Sequence, residues 1–331
     1  MRLGTRHSAL GARREGQREG QTFAGRAVVV RWANFVKLPH TLFALPFAML
    51  GVVAASMTHP ITGWMVVRVA IAFSAARWVA MAFNRIADRY FDARNPRTMN
   101  RELPTGALSV RQAWGSVAVA AVVFLVAAGS FNRLCLYLSP VALVWVMGYS
   151  LSKRFTWWPH LWLGMGLAIA PVGGYLAVTG AWSDPPWVLG AITVAVATWV
   201  AGFDMFYALP DEAFDRGEGL KSAVVRLGER RAILVAKLLH GITIPALALF
   251  GWGVGFGAWY YAGLVVAAGI LAYEHQLVKP GDLSRLDAAF FTMNGVMSVV
   301  VFCLRLGRPD PRMSKLTKVL GLGARRSVLN T

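Results

Sequence analysis

Long apolar runs alternate along the chain with short polar segments that are mostly basic. Stretches of about 17 to 25 residues are what a helix needs to cross a bilayer's hydrocarbon core. Such runs fall at 33–57, 61–83, 113–130, 134–151, 159–179, 187–208, 232–252, 256–275 and 286–305. The pattern predicts an all-α integral membrane bundle of nine transmembrane helices, occupying residues 31–305. A basic extension, 1–30, precedes it and a basic tail, 306–331, follows. The extension has no apolar core of the kind a cleavable signal peptide carries, so it is expected to be disordered and cytoplasmic. Glu15 and Glu19 count against an organellar transit peptide.

Composition agrees with this pattern. Of 331 residues, 56% are hydrophobic and 15% charged, which leaves no room for a separate soluble domain. Cys135 and Cys303 both lie in apolar runs, so neither a disulfide framework nor a zinc site is expected. The net charge of +18 raises the question of nucleic acid. Its distribution answers with membrane topology, because Lys and Arg collect in cytoplasmic segments.

With the N-terminus inside, the inner segments 1–31, 85–112, 152–156, 209–231 and 276–285 carry seven, six, two, five and two Lys or Arg, whereas the opposite loops hold only Arg133. The tail disagrees: nine crossings would place it outside, yet 305–331 carries seven basic residues. The loops set the expected orientation, with the chemistry on the cytoplasmic side. No obligate protein partner is evident.

Against this apolar background two acidic stretches stand out. Asn84, Asp88 and Asp92 recur every fourth residue, as do Asp211 and Asp215. That spacing advances about 400° and about 6 Å along a helix, so each set shares a face. Together they offer hard oxygen ligands of the kind that hold Mg²⁺ beside phosphate groups. A single such pair would read as a salt-bridged helix end, interleaved as it is with Arg85 and Arg89. Its recurrence at an equivalent cytoplasmic helix end argues for a site.

Cations accompany the acids. Arg97 and Arg101 lie in the loop after the first stretch, and guanidinium suits phosphate oxygens. Arg77 is two turns before Asn84 on the same face, inside a span, where an ionisable group normally faces the bundle interior. Asp204 and Tyr207 share a face that leads toward Asp211, weakened beyond Leu209 by Pro210. Asp204 sits in an apolar run and needs a cationic partner, which Lys153 and Arg154 are placed to supply. His40, and the abundant aromatic residues, read as structural.

At these residues the chain resembles the UbiA superfamily of membrane aromatic prenyltransferases, most closely its bacterial 4-hydroxybenzoate polyprenyltransferase branch. The likeness runs from Lys37 to the ninth span. It is carried by Asn84, Asp88 and Asp92, by the loop from Arg97 and Thr98 to Pro104, by Tyr149, Lys153 and Arg154, and by Asp204, Tyr207, Asp211 and Asp215. The resemblance implies a central cavity capped by cytoplasmic loops, in a bacterial inner membrane. It implies Mg²⁺ on Asn84, Asp88, Asp92, Asp211 and Asp215, and diphosphate contacts from Lys153 with Arg97 or Arg101. Arg77 is expected to assist them. Asp204, Arg154 and Tyr207 are expected to orient and activate a hydroxylated aromatic acid.

The implied reaction is transfer of a polyprenyl group from its diphosphate to that acid, for ubiquinone or menaquinone synthesis. Naphthoate, haem or chlorin acceptors are the alternatives within the superfamily. A cation-coupled transporter is the competing class, but its acids belong at mid-bilayer rather than at helix ends.

Overall fold

The structure, a computed structural model, describes residues 27–278. The expected 286–305 span, the tail and residues 1–26 lie outside the described residues.

Among the described residues the chain is helical throughout, with no strand. In order, the helices are α1 (Val28–Phe35), α2 (Leu38–Ala55), α3 (Gly63–Arg94), α4 (Val110–Gly129), α5 (Arg133–Ser152), α6 (Pro159–Thr179) and α7 (Trp187–Ala208). A 3-10 turn, Leu209–Asp211, leads into the short α8 (Glu212–Gly217) and α9 (Ala223–Leu227), followed by α10 (Glu229–Val254) and α11 (Ala258–Leu277). Six of the long apolar segments, carried by α3 to α7 and α10, are sufficient to cross a membrane, and α2 and α11 coincide with two further expected spans.

Local chemistry fixes the ends. Thr62 caps α3 by accepting from the Met65 amide at 3.2 Å, and Ser109 and Gln112 form a reciprocal capping box on α4. The Asn132 side chain accepts from the Cys135 amide at 2.9 Å and donates to the Leu176 carbonyl at 2.8 Å, tying the start of α5 to the end of α6.

Two spans differ from expectation. The expected 33–57 span is broken, because Lys37 takes a left-handed conformation (φ 48°) and Pro in the first turn of α2 begins a new helix. The α3 helix runs to Arg94, well past the expected end at 83. At 1.5 Å per residue its 32 residues reach about 48 Å, more than the hydrocarbon core requires. Its last turns, which carry Asp88 and Asp92, are therefore more than a crossing needs.

The bundle is centred on α7, which packs against α6 on one side and α10 on the other. The apolar segment of α7 is 72% buried, against 17–33% for the other candidate spans. Val126, Val144, Trp252 and Val265 point outward from the peripheral helices, the inverse of a water-soluble bundle and suited to lipid. Close approach depends on glycine: a Cβ at Gly164 of α6 would lie 2.2 Å from the Ala197 carbonyl oxygen of α7. Backbones this near leave α6 no freedom to slide along α7, which matters for the residues one turn above.

Candidate active site

The two acidic stretches meet in one cleft of about 130 Å³ at the bundle end where α3, α5, α6 and α7 finish or begin. Asn84, Asp88 and Asp92 come from α3, Lys153 and Arg154 from the end of α5, and His160 from the first turn of α6. Asp204 and Tyr207 come from α7, Asp211 from the 3-10 turn and Asp215 from α8. Pro210 produces that tighter turn, so the expected helical face is re-aimed between Leu209 and Asp211 rather than lost.

The charges interlock. Arg97 Nε donates to Asp211 Oδ1 at 2.9 Å and its Nη2 pairs with Oδ2, while Asn95 Nδ2 donates to Asp211 Oδ1 at 3.1 Å. Arg101 Nη1 donates to Asp92 Oδ1 at 2.7 Å, and Asn84 Nδ2 to Asp88 Oδ2 at 2.8 Å. Lys153 Nζ donates to Asp215 Oδ2 at 2.8 Å. Burial works against the Lys153 charge, but Asp215, with Asp211 and Asp204 behind it, outweighs burial and raises the ammonium pKa above its ordinary value. Lys37 Nζ donates to the Tyr207 hydroxyl at 3.1 Å, and the Arg97 guanidinium lies 5.1 Å from that ring's centre. In the loop after α3, burial pushes the Glu102 carboxyl pKa up.

Two expectations change. Asp204 was expected to pair with Lys153 or Arg154; its partner is His160, whose Nδ1 lies 2.6 Å from Asp204 Oδ2. Lys153 is taken by Asp215, and Arg154 donates to the Ala87 carbonyl at 2.7 Å with Asp88 at 3.9 Å. Arg77 is not brought to the polar cleft. Its Nε donates to Thr41 Oγ1 at 3.1 Å, and it lines a separate apolar cavity of about 440 Å³ between α3, α4, α5 and α6. Tyr149 lines both spaces, so it stands between the polar cleft and the apolar cavity.

His160, Asn95 and Lys37 were not singled out from the sequence. Nothing periodic marks His160, which follows Pro159 at the start of α6. Only the packing of α6 on α7 brings it to Asp204.

The donors suit a hard cation. Asn84, Asp88, Asp92, Asp211 and Asp215 each offer side-chain oxygen, and among the described residues Asp92 Oδ2 is buried with no hydrogen-bond partner. Yet among the described residues no three acids, histidines or cysteines converge closely enough to form a protein-only cage. Mg²⁺ typically takes one or two carboxylates and fills its octahedron with water and substrate phosphate. Acids spread along two walls fit that mode.

A helical membrane bundle with an acid- and cation-lined cleft beside an apolar cavity suits ligands anionic at one end and oily at the other. The chain belongs to the UbiA prenyltransferase family, whose model matches residues 44–296. It is 30% identical over 233 residues to a 4-hydroxybenzoate octaprenyltransferase of Coxiella burnetii, covering 69% of this chain and 80% of that one. Among solved structures it is similar to the apo UbiA homologue from Aeropyrum pernix K1, with a TM-score of 0.74 and 30% identity over 80% of this chain and 96% of the other. A UbiA homologue from Archaeoglobus fulgidus bound to GPP and Mg²⁺ shares the fold, with a TM-score of 0.58 and 20% identity over 83% of this chain and 99% of that one.

Proposed function

We propose that this prenyltransferase moves a polyprenyl group from polyprenyl diphosphate to a hydroxylated aromatic acid of the 4-hydroxybenzoate class and releases diphosphate, with Mg²⁺ as cofactor. The reading extends to ubiquinone or menaquinone synthesis, in a nine-helix bundle of the bacterial inner membrane whose cleft faces the cytoplasm. The observation that carries it is the meeting of Asp88 and Asp92 with Asp211 and Asp215 in one cleft, interleaved with Arg97, Arg101 and Lys153. The relative from Coxiella burnetii and the GPP- and Mg²⁺-bound neighbour support the substrate classes.

In this reading Asn84, Asp88 and Asp92 on one wall, and Asp211 and Asp215 on the other, hold Mg²⁺. When bound there, the ion would supply positive charge against the departing diphosphate. Arg97, Arg101 and Lys153 donate to the phosphate oxygens, stabilising charge as the allylic C–O bond breaks. The prenyl tail enters the apolar cavity past Tyr149. Ring faces of Tyr149, Tyr207 and Phe91 around the cleft offer electron density to the allylic cation. Arg154 takes the carboxylate of the aromatic acid, and Asp204 its hydroxyl. Water must be kept out, since it would trap the cation as a prenol.

The test is an assay of purified membranes containing the full chain, with labelled prenyl diphosphates of several lengths against a panel of aromatic acceptors. Prenylated 4-hydroxybenzoate with equimolar diphosphate is the expected product. Product only with a naphthoate, haem or chlorin would reassign the acceptor, and no transfer to any acceptor would overturn the reading.

A further inference from the structure

We propose that His160 is a positioning residue for proton transfer from the acceptor, acting through Asp204; this rests on the aromatic-acceptor reading above. The two side chains meet at 2.6 Å, shorter than an ordinary N–H···O bond. They divide the work by exposure. The His160 side chain is 1% exposed and that of Asp204 15%, so the carboxylate meets the substrate and the imidazole stands behind it.

Both residues line the polar cleft. With Nδ1 facing a carboxylate, the ring carries its proton there and donates it to Oδ2, which fixes the plane of the carboxylate and leaves Oδ1 for the acceptor. Among the described residues His160 Nε2 is buried with no hydrogen-bond partner, so the bond to Asp204 is the ring's one polar contact there. An isolated carboxylate in the apolar run of α7 would be costly, and a buried hydrogen-bond donor offsets that cost. Gly164, one turn after His160, seats α6 against the α7 backbone and so sets the distance between them.

The step balances as follows. The acceptor's hydroxyl proton passes to Asp204 Oδ1, and the oxygen's electron pair, delivered through the ring, forms the new C–C bond. The allylic C–O bond breaks with its pair leaving on diphosphate. The substituted ring carbon then gives its proton to diphosphate, Asp204 returns its own to the oxygen, and aromaticity is restored. One proton leaves with each diphosphate.

The test compares His160→Leu, His160→Asn and His160→Gln with the unaltered chain in steady-state kinetics against 4-hydroxybenzoate and a prenyl diphosphate, with folding followed by thermal unfolding in detergent. His160→Leu should lower kcat with the aromatic acid by about 10²-fold, the low end for a positioned proton acceptor, with the prenyl diphosphate KM within about twofold of the original. His160→Asn keeps a donor near the Nδ1 position and should recover most of the rate; His160→Gln moves the donor to the Nε2 position and should recover little. Where the Leu variant does not fold, the Asn and Gln pair decides. Equal rates in those two, or a loss shared equally by both substrates, would overturn the proposal. Inactivity of the unaltered chain toward every aromatic acid would instead show the acceptor reading itself to be wrong.

Discussion

Arg97 and Asp211, 114 residues apart, form a two-point pair in which Nε and Nη2 of the guanidinium each meet one carboxylate oxygen. The contact joins the loop after α3 to the turn after α7, so this planar fork, with the Asn95 amide beside it, ties the halves of the cleft together. Lysine has no such fork. Charged hydrogen bonds of this kind contribute about 1.5 to 3 kcal/mol. Arg97→Lys should therefore lower kcat/KM for the prenyl diphosphate by about 10- to 10²-fold. Kinetics with the donor varied at saturating acceptor would check it.

Arg154 should separate the two substrates. It lies beside Asp88 and donates to the Ala87 carbonyl, yet it is nearly half exposed and so retains donors for a ligand. Arg154→Ala is expected to raise the KM for the aromatic acid at least about tenfold, the scale of one charged hydrogen bond, and to change the donor KM far less. Equal loss in both would assign it to the diphosphate instead.

Much of this was legible before any coordinates. The long apolar runs gave the helix positions, because period and length suffice when lipid is the solvent. The four-residue spacing put Asp88 with Asp92 and Asp211 with Asp215 in one cleft, because a helix repeats on that scale. Partners across helices were not legible. His160 rather than Lys153 meets Asp204 because of how α6 seats on α7, a matter of glycine contacts and not of spacing. Arg77 shares a helix face with Asn84 by period, but two turns deeper that face meets the apolar cavity rather than the polar cleft. The break at Lys37 was hidden because apolar residues flank it on both sides.

Packing beneath the site offers a test that needs no substrate. A methyl group at Gly164 would lie 2.2 Å from the Ala197 carbonyl oxygen, which is backbone and cannot swing aside. Overpacking of this sort costs about 1 to 3 kcal/mol. Gly164→Ala should lower the thermal midpoint in detergent, whereas Gly190→Ala, where a Cβ meets nothing within 4 Å, should leave it nearly unchanged.

Glu102 gives stability a pH dependence of known sign. Its carboxyl pKa in the fold is raised from the ordinary 4.5 by burial, so the folded state holds that proton more tightly than the unfolded chain. Its contribution to stability is therefore most favourable below about 4.5 and declines as pH rises through the folded pKa. Glu102→Gln cannot ionise and should gain in thermal midpoint relative to the unaltered chain at neutral pH. That gain should vanish near pH 4. Midpoints measured across this range would show it, and a gain independent of pH would contradict the assignment.

The account stands most directly on the two acidic walls acting together. Diphosphate release from an allylic donor in the presence of 4-hydroxybenzoate, measured with and without Mg²⁺, tests it in the unaltered chain and in Asp88→Ala and Asp211→Ala. The account predicts that each substitution abolishes Mg²⁺-dependent release while the protein remains folded in the membrane. Retained turnover in both variants would contradict it.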